Sequence, residues 1–168
     1  MQIRGMQASD LAAVYALQAS VYRGAMVEAL ELLQQRLQLA PATAWVACDG
    51  SAVHGYLMGY ASVCGNIARL ATPFCLAELP DALYLHDLAV APAQSGRGVG
   101  RALAQHGIAY AQDCGLAHVC LVSVQGTTRF WESLGFQRRL ELSPEQQSCL
   151  DSYAGPAWYY QQQSPGRP

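Results

Sequence analysis

Three glycines at alternate positions constrain this chain more than any other feature of its sequence. They are Gly96, Gly98 and Gly100, within the stretch "HDLAVAPAQSGRGVGRAL" at residues 86–103. An apolar run typical of a strand precedes them, and a helical pattern follows. Because glycine loses more conformational entropy on folding than any other residue, three at this spacing predict a special backbone path between the strand and the helix.

A strand, a glycine-rich turn and a helix together make an anion-binding arrangement. Backbone without Cβ atoms can approach a phosphate closely, and the helix start supplies unpaired N–H groups and the positive end of the helix dipole. A Walker A loop is excluded because Gly100 is followed by Arg101 and Ala102 rather than by Lys and Ser or Thr. A dinucleotide fingerprint counted from Gly96 is excluded because Arg101 stands where its third glycine belongs. The alternative is that the glycines serve only a tight turn.

Composition limits the class of protein. The chain has 168 residues, a formal net charge of -2 and only 13% charged residues, which suits one domain and argues against a nucleic-acid partner. The six cysteines lack Cys-x-x-Cys spacing, which favours reduced thiols and predicts no metal site. The N-terminus lacks the apolar core of a secretory signal, and the uncharged stretch 51–68 is too polar for a membrane span. We therefore expect a cytoplasmic protein with no membrane partner.

The remaining sequence predicts alternating strands and helices. The expected helices cover a segment opened by Ser9 or Asp10 and residues 26–40, 98–114 and 127–134. The expected strands cover residues 2–6, the 44–62 hairpin with its Asp49-Gly50 turn, and 83–90, 118–124, 135–142 and 157–162, with a loop at 64–82. The strand–helix–strand unit around the glycines should be parallel. Residues 1–163 are expected to form one domain, followed by a flexible tail at 164–168.

Two motifs make the chain resemble the GNAT superfamily of acyl-CoA-dependent N-acyltransferases. "LHDLAVAPAQSGRGVGRAL" resembles motif A, commonly written Q/R-x-x-G-x-G/A after a strand ending L-x-V-x-P, and "FWESLGF" at residues 130–136 resembles motif B, usually "FYxxLGF". The opening "IRGMQASDLAAVYAL" is similar to the first strand and helix of the family. The resemblance implies a single-domain GNAT-like α/β fold. Its central sheet is mixed and mostly antiparallel, contains one parallel, splayed strand pair, and is flanked by helices.

The resemblance also implies acetyl-CoA as the co-substrate, with no metal. In this family the pyrophosphate of coenzyme A lies on backbone N–H groups of the glycine turn. The pantetheine arm pairs with the motif A strand where that strand splays from its parallel neighbour, here residues 118–124. The residues thus implied to bind the cofactor are Leu88, Ala89, Val90, Gly96, Arg97, Gly98, Val99, Gly100 and Arg101. The side chains of Arg97 and Arg101 either add charge near the phosphates or are simply solvated.

The same resemblance points to catalytic residues on the motif A strand. "LHDLAV" is similar to the arylalkylamine N-acetyltransferase branch, in which a histidine at the position matching His86 lies in the amine pocket. Tyr84 lies where other members carry a second His or a Glu, and strict strand alternation would place Tyr84, His86, Leu88 and Val90 on one face. Imidazole titrates near pH ~6.5, so we predict that His86 accepts the proton of the amine, beside Tyr84. The alternative for His86 is a hydrogen-bonded core histidine.

Two positions depart from the motifs of the family. Ser95 stands at the Q/R position of motif A, which removes a side-chain contact but leaves the backbone contacts intact. Trp131 stands at the motif B tyrosine that often protonates the leaving thiolate, and an indole N–H cannot do this at neutral pH. Tyr159 and Tyr160 are candidate substitutes.

The expected activity is transfer of an acetyl group from acetyl-CoA to a primary amine by direct attack in a ternary complex. A strand N–H near residues 88–90 would stabilise the oxyanion. The alternatives are a catalytically weakened acyl-CoA-binding or sensor protein, which Ser95 and Trp131 favour, and a purely structural domain. Residues 22–27 and 67–82 are expected to select the acceptor, which is a small-molecule or peptide amine. The resemblance is also compatible with a homodimer.

Overall fold

A computed structural model describes residues 1–153 and 155–164 of the chain. The helices in this part are α1 (Leu11–Val21), α2 (Leu30–Leu39), α3 (Val99–Asp113), α4 (Thr128–Glu132) and α5 (Pro144–Leu150). The strands are β1 (Gln2–Gly5), β2 (Ala44–Asp49), β3 (Ala52–Ser62), β4 (Ala82–Val90), β5 (His118–Ser123), β6 (Gln137–Arg138) and β7 (Trp158–Gln163). The elements therefore follow the predicted alternation closely.

The seven strands form one sheet in the order β1-β2-β3-β4-β5-β7-β6. All neighbours pair antiparallel except β4 and β5, which are parallel. Helix α3 makes the crossover between these two strands, as a parallel connection requires. The predicted mixed, mostly antiparallel sheet with one parallel pair is confirmed.

Both faces of the sheet are covered, which explains why its central strands are apolar throughout. On one face α1 and α2 contribute Val14 and Leu33 to a core that also contains Tyr56 of β3. On the other face α3 and α4 contribute Leu103 and Trp131 to a second core. Each fully buried side chain of this size stabilises the fold by about 1.5–3 kcal/mol relative to exposure. The sheet is thus held rigidly between two apolar layers.

Helix α2 begins later than the sequence pattern predicts. Residues 24–26 form a short 3-10 turn, and Val27 is extended. The following residue, Glu28, donates its backbone N–H to the Gln18 side chain and pairs its carboxylate with Arg36. These tertiary contacts hold Glu28 outside the helix, so α2 starts at Leu30.

The C-terminal third differs from the sequence prediction in two further places. Helix α5 was not predicted, although Ser143 and Gln146 form a capping box at its start. Strand β6 covers two residues of the predicted 135–142 strand. Of the predicted tail, Ser164 is buried and donates its N–H to the Ala117 carbonyl at 2.8 Å, whereas residues 165–168 lie outside the described residues.

The loop between β3 and β4, residues 63–81, is the longest connection in the described chain, and it has no helix. Tertiary hydrogen bonds fix it: Gly65 N–H donates to the Tyr159 hydroxyl at 2.8 Å, and Leu70 N–H to the Ser152 hydroxyl at 3.0 Å. The loop also carries Phe74, which is buried against the sheet. The loop is therefore held against β7, the segment after α5 and the core of the sheet.

Candidate active site

Strands β4 and β5 separate halfway along their length. Their pairing covers only Ala82–Leu85 and His118–Leu121, whereas β5 stays paired with β7 as far as Ser123. Residues 86–90 of β4 consequently have no strand neighbour on that side. A cavity of about 320 Å³ fills the gap, with lining residues that include Leu88, Val90, Val122, Phe130 and Trp131. The splayed pair expected from the sequence is confirmed.

The glycine turn requires glycine where its backbone has a positive φ. Gly98 is the N-cap of α3 with a φ of 82°, and a Cβ there would meet nothing within 4 Å, so the requirement is the left-handed backbone itself. At Gly100 a Cβ would lie 3.4 Å from Cγ2 of Val90 and 3.6 Å from Cδ2 of Leu88, which are ordinary van der Waals distances, so space does not require glycine there.

A second cavity, of about 300 Å³, lies over the glycine turn and shares Val90, Ser95 and Phe130 with the first. The first N–H groups of α3 have no partner inside the helix and are free to bind an anion. Arg101 lines this cavity and donates to the Ser133 hydroxyl at 2.7 Å. Through these shared residues the two cavities adjoin in the described chain, and together they form a groove that runs from the helix start into the gap between the strands.

His86 is the extra residue of a β-bulge. Met58 pairs with Asp87 and Gly59 pairs with Leu85, which leaves His86 without a partner on β3. A bulge reverses the alternation of side chains beyond it. The predicted shared face is therefore wrong past His86, because Leu88 and Val90 pack on the α3 side whereas Ala89 joins Tyr84 in the α1 and α2 core. Gly59 in the strand interior is a signal that could have predicted the bulge.

The bulge places His86 at the inner end of the groove. Its side chain is 4% exposed, and its Nε2 lies 3.7 Å from Oε2 of Glu28. The imidazole packs edge-on to Phe74, with 5.3 Å between ring centroids. His86 borders both the 320 Å³ cavity and an adjoining one of about 30 Å³ that Glu28 and Tyr153 also line. Within residues 1–153 and 155–164, its Nδ1 makes no hydrogen bond.

Tyr84, the second residue predicted to be catalytic, lies behind His86. The two ring centroids are 6.3 Å apart, and Tyr84 is 1% exposed. Burial raises the pKa of its hydroxyl well above the ordinary tyrosine value. Tyr84 borders none of the three cavities described above.

Tyr22 and Asp87 form a polar cluster at the site. The Tyr22 hydroxyl lies 2.8 Å from Oδ1 of Asp87 and 3.1 Å from the Leu88 carbonyl oxygen, and Tyr56 donates to the other carboxylate oxygen. Burial raises the pKa of Asp87, although the hydroxyls of Tyr56 and Tyr22 and the imidazole of His86 oppose this. Tyr22 lines both the 320 Å³ and the 30 Å³ cavity. The only sequence prediction that included Tyr22 was the segment 22–27, which was expected to select the acceptor.

Tyr159 and Tyr160, the two candidate substitutes, do not replace the tyrosine that is missing at Trp131. The Trp131 indole lines the 320 Å³ cavity. Tyr159 accepts the N–H of Gly65 at 2.8 Å, and Tyr160 donates to Glu132 at 2.9 Å. Neither hydroxyl borders the groove. Neither tyrosine is therefore placed to protonate the leaving thiolate, and the prediction that one of them does so is wrong.

Two further observations concern the described part of the chain as a whole. No group of three or more His, Cys, Asp or Glu side chains there is arranged to hold a metal ion. None of its helices combines the length and the apolar character that a membrane crossing needs.

Comparison with known proteins adds a family and a fold. The model of the Acetyltransferase (GNAT) family matches residues 11–136. A search of curated protein sequences finds no match. The solved structure of the GNAT-like decarboxylase GphF in complex with isobutyryl-CoA aligns over 98% of this chain and 100% of its own, with 19% identity and a TM-score of 0.77.

Two other solved structures are similar at comparable identity. The loading GNATL domain of CurA from Lyngbya majuscula aligns over 95% of both chains, with 14% identity and a TM-score of 0.76. A ribosomal-protein-alanine N-acetyltransferase from Escherichia coli aligns over 99% of this chain and 96% of its own, with 15% identity and a TM-score of 0.67. At these identities the likeness shows the fold.

Proposed function

The chain belongs to the GNAT family of acetyltransferases, and from this premise we propose that it transfers an acetyl group from acetyl-CoA to a primary amine by direct attack in a ternary complex. The observation that carries the proposal is the continuous groove from the glycine turn to His86. Along the groove lie, in order, the helix start proposed to bind an anion, the unpaired edge of β4 and the buried imidazole of His86. A CoA thioester would use them in this order for its pyrophosphate, its pantetheine amides and its reacting thioester.

The cofactor would lie along this groove. Its pyrophosphate is expected on the backbone N–H groups between residues 95 and 101, where the start of α3 favours negative charge. Its pantetheine amides would pair with the free edge of β4. The residues proposed to contact it are Leu88, Ala89, Val90, Gly96, Arg97, Gly98, Val99, Gly100 and Arg101. This pose places the thioester beside His86.

In the proposed reaction the His86 imidazole takes a proton from the amine. The amine nitrogen then attacks the thioester carbonyl, and a β4 N–H left free by the splay stabilises the oxyanion. The C–S bond breaks as the intermediate collapses, the electrons leave on the CoA thiolate, and the nitrogen gives up its second proton to that thiolate or to water. An alkyl thiol with a pKa of about 8.5–10 leaves without an acid, so Trp131 is compatible with turnover.

Tyr22 and Tyr84 have supporting roles in this proposal. Burial, then the nearby Asp87 carboxylate, raises the pKa of Tyr22 well above its ordinary value, which makes its hydroxyl a poor proton donor to a thiolate. Tyr22 instead holds Asp87 and the Leu88 carbonyl. Tyr84 packs behind the His86 ring and limits its movement.

The acceptor is proposed to be a cationic amine, either a small molecule or a peptide N-terminus. Two carboxylates, Glu28 and Asp87, line the small inner cavity together with His86. Burial by itself would raise the pKa of Glu28, but the side chains of His86 and Arg36 lower it to about 2. An ionised carboxylate attracts an ammonium group and repels an anionic acceptor.

A second candidate is decarboxylation of a β-carboxyacyl-CoA. The inner cavity of about 30 Å³ favours it, because this space admits a carboxylate of the acyl group more readily than a separate amine. The bond from Cα to the carboxylate would break, its electrons would form the thioester enolate, and His86 would protonate Cα. The similar protein GphF is named a GNAT-like decarboxylase. The acidic side chains at the cavity oppose this candidate, so amine transfer remains our first proposal.

One set of assays separates these functions. Calorimetry should detect acetyl-CoA binding, and thiol release should follow with at least one amine from a panel of a polyamine, an aryl-alkyl amine, an amino acid and a peptide N-terminus. Release of CO2 from malonyl-CoA without amine-dependent thiol release would establish the second candidate. Binding without either reaction would indicate an acyl-CoA-binding or sensor protein. Absence of binding would overturn the cofactor assignment.

A further inference from the structure

Cys64 and Cys120 bring two free thiols into contact on the α1 and α2 face of the sheet. The Cys120 thiol donates to the Cys64 sulfur at 3.7 Å, and the Cys64 thiol donates in turn to Oε1 of Gln161 at 3.4 Å. Because the S–S bond of a disulfide is about 2.05 Å long, the two sulfurs need to come only about 1.7 Å closer to form one. The two cysteines are remote in the sequence, so only the fold brings their sulfurs together.

The backbone around the pair allows this approach from one side. Cys120 lies inside β5, where it pairs with Tyr84 of β4 and Gln161 of β7, so its position is fixed. Cys64 lies in the loop between β3 and β4, just after the end of β3, and its N–H donates to Oδ1 of Asp81 at 2.6 Å. A residue in a loop changes its rotamer and shifts its backbone at lower cost than a residue inside a sheet. The Cys64 sulfur is therefore the one that moves.

The two thiols differ in their access to solvent. Cys120 is fully buried, whereas Cys64 is half-buried. Burial raises the pKa of the Cys120 thiol, which keeps it protonated and unreactive towards reagents in solution. An oxidant therefore reaches Cys64 first, and Cys120 reacts with the product formed there. Redox-sensitive thiols in proteins are commonly accessible and often stand next to a second cysteine that resolves the oxidised one.

We propose that Cys64 and Cys120 are a modification site at which a peroxide closes a reversible disulfide between the β3–β4 loop and β5. With hydrogen peroxide, the Cys64 sulfur takes one oxygen and becomes a sulfenic acid, and the other oxygen leaves as water. The Cys120 sulfur then attacks the Cys64 sulfur, the S–S bond forms, the S–O bond breaks, and the hydroxyl group leaves as a second water with the Cys120 proton. Two thiols lose two electrons in total, and a dithiol reductant returns them.

The disulfide would join two walls of the inner cavity. Leu70 of the loop and Val122 of β5 both line the cavity of about 30 Å³ beside His86. The same loop packs Phe74 against the His86 ring, with 5.3 Å between the ring centroids. A space of about 30 Å³ holds only a small group, so a larger acceptor needs these walls to move apart. This consequence rests on the proposed acetyl transfer: the closed disulfide should hinder the acceptor and leave acetyl-CoA binding unchanged.

Peptide mapping of the intact protein tests the site without any substrate. The reduced protein is treated with hydrogen peroxide at mildly alkaline pH, the remaining thiols are blocked, and a chymotryptic digest is analysed by mass spectrometry. We expect a linked peptide pair that contains Cys64 and Cys120, with the loss of two hydrogens, which disappears after dithiothreitol treatment. Cys64→Ser should abolish it, whereas Cys75→Ser, which removes an exposed thiol of the same loop, should keep it. Oxidation of Cys64 to a sulfinic acid, or its linkage to another cysteine, without the bond to Cys120 would overturn the proposal.

Kinetics test the consequence for the acceptor. In a Cys75→Ser, Cys114→Ser background, which lacks both exposed thiols, peroxide should lower kcat/KM for the acceptor at least about fivefold, and a reductant should restore it. The affinity for acetyl-CoA should not change, and Cys64→Ser in the same background should make kcat/KM insensitive to peroxide. Equal losses in both proteins, or a closed disulfide that leaves kcat/KM unchanged, would overturn the role in acceptor entry. Because peptide mapping needs no substrate, its outcome and that of the acetyl-transfer assay are independent.

Discussion

Gly59 of β3 approaches the backbone of Tyr84 so closely that a Cβ at Gly59 would lie 2.6 Å from the Tyr84 carbonyl oxygen. This close approach lies at the bulge, where Gly59 pairs with Leu85 and His86 has no partner. The placement of His86 in the groove therefore depends on a glycine in the neighbouring strand.

Replacement of Gly59 by Ala should destabilise the protein by about 1–3 kcal/mol, the usual range for overpacking, and should reduce turnover by displacing His86. Urea unfolding and a thiol-release assay measure the two effects. Gly5→Ala is the matched control in a strand, because a Cβ at Gly5 meets nothing within 4 Å. Equal stability of the two variants would contradict the role of the close approach.

His86→Gln should lower kcat by about 10²–10⁴-fold, the usual contribution of a general base, and flatten the pH–rate profile. Acetyl-CoA affinity should be retained because the proposed binding groups are backbone atoms elsewhere in the groove. His54→Gln is the control, since the His54 imidazole lies near Asp49, 3.2 Å from its carboxylate. An unchanged rate and profile would remove His86 from the chemistry.

Gly98→Ala should weaken acetyl-CoA binding by at least about tenfold, or about 1.4 kcal/mol, because the new methyl group projects towards the space proposed for the pyrophosphate. Gly115→Ala is closely matched: Gly98 has a φ of 82° and Gly115 one of 72°, and a Cβ at either meets nothing within 4 Å. Both variants carry the same kind of backbone strain. Calorimetry that finds equal loss of affinity in both would show that strain, not phosphate contact, explains the effect.

Acid should destabilise the fold through Glu28. Its pKa is lowered to about 2 in the folded protein, so its contribution is present above the unfolded value near 4.3 and is lost as the pH falls towards 2. The full contribution is about 3 kcal/mol, of which about 2 kcal/mol should be lost between pH 6 and pH 2.5 when stability is measured by urea unfolding. Glu28→Gln should lose this part of the pH dependence, whereas the exposed Glu31→Gln should keep it. Parallel curves for all three proteins would contradict the prediction.

Tyr22→Phe tests whether the Tyr22 hydroxyl holds the site or supplies a proton. Loss of one donor to buried Asp87 should destabilise the protein by about 1–3 kcal/mol. Because its high pKa makes Tyr22 a poor acid, kcat should fall less than about tenfold. Tyr15→Phe, at an exposed position of α1, is the control. A fall in kcat of two or more orders of magnitude would instead identify Tyr22 as the general acid.

The sequence determined the local architecture of this protein. The glycine turn, the hairpin at Asp49-Gly50 and the parallel crossover through α3 were all predictable, because each depends on backbone dihedral angles or on side-chain periodicity within one short stretch. The two motifs also identified the family. That residues 96–101 bind the cofactor remains a prediction, and it too depends only on consecutive residues.

The tertiary structure decided how the site is assembled. Because His86 has no partner on β3, the side chains of β4 beyond it lie on the opposite faces from those predicted. A prediction from strand periodicity assumes that no bulge interrupts the strand. The approach of Glu28 to His86 and the bond from Tyr22 to Asp87 join segments far apart in the chain. Their geometry depends on how α1, α2 and the sheet pack against one another. A distance between remote segments is set by this packing, and no periodic pattern in the sequence encodes it.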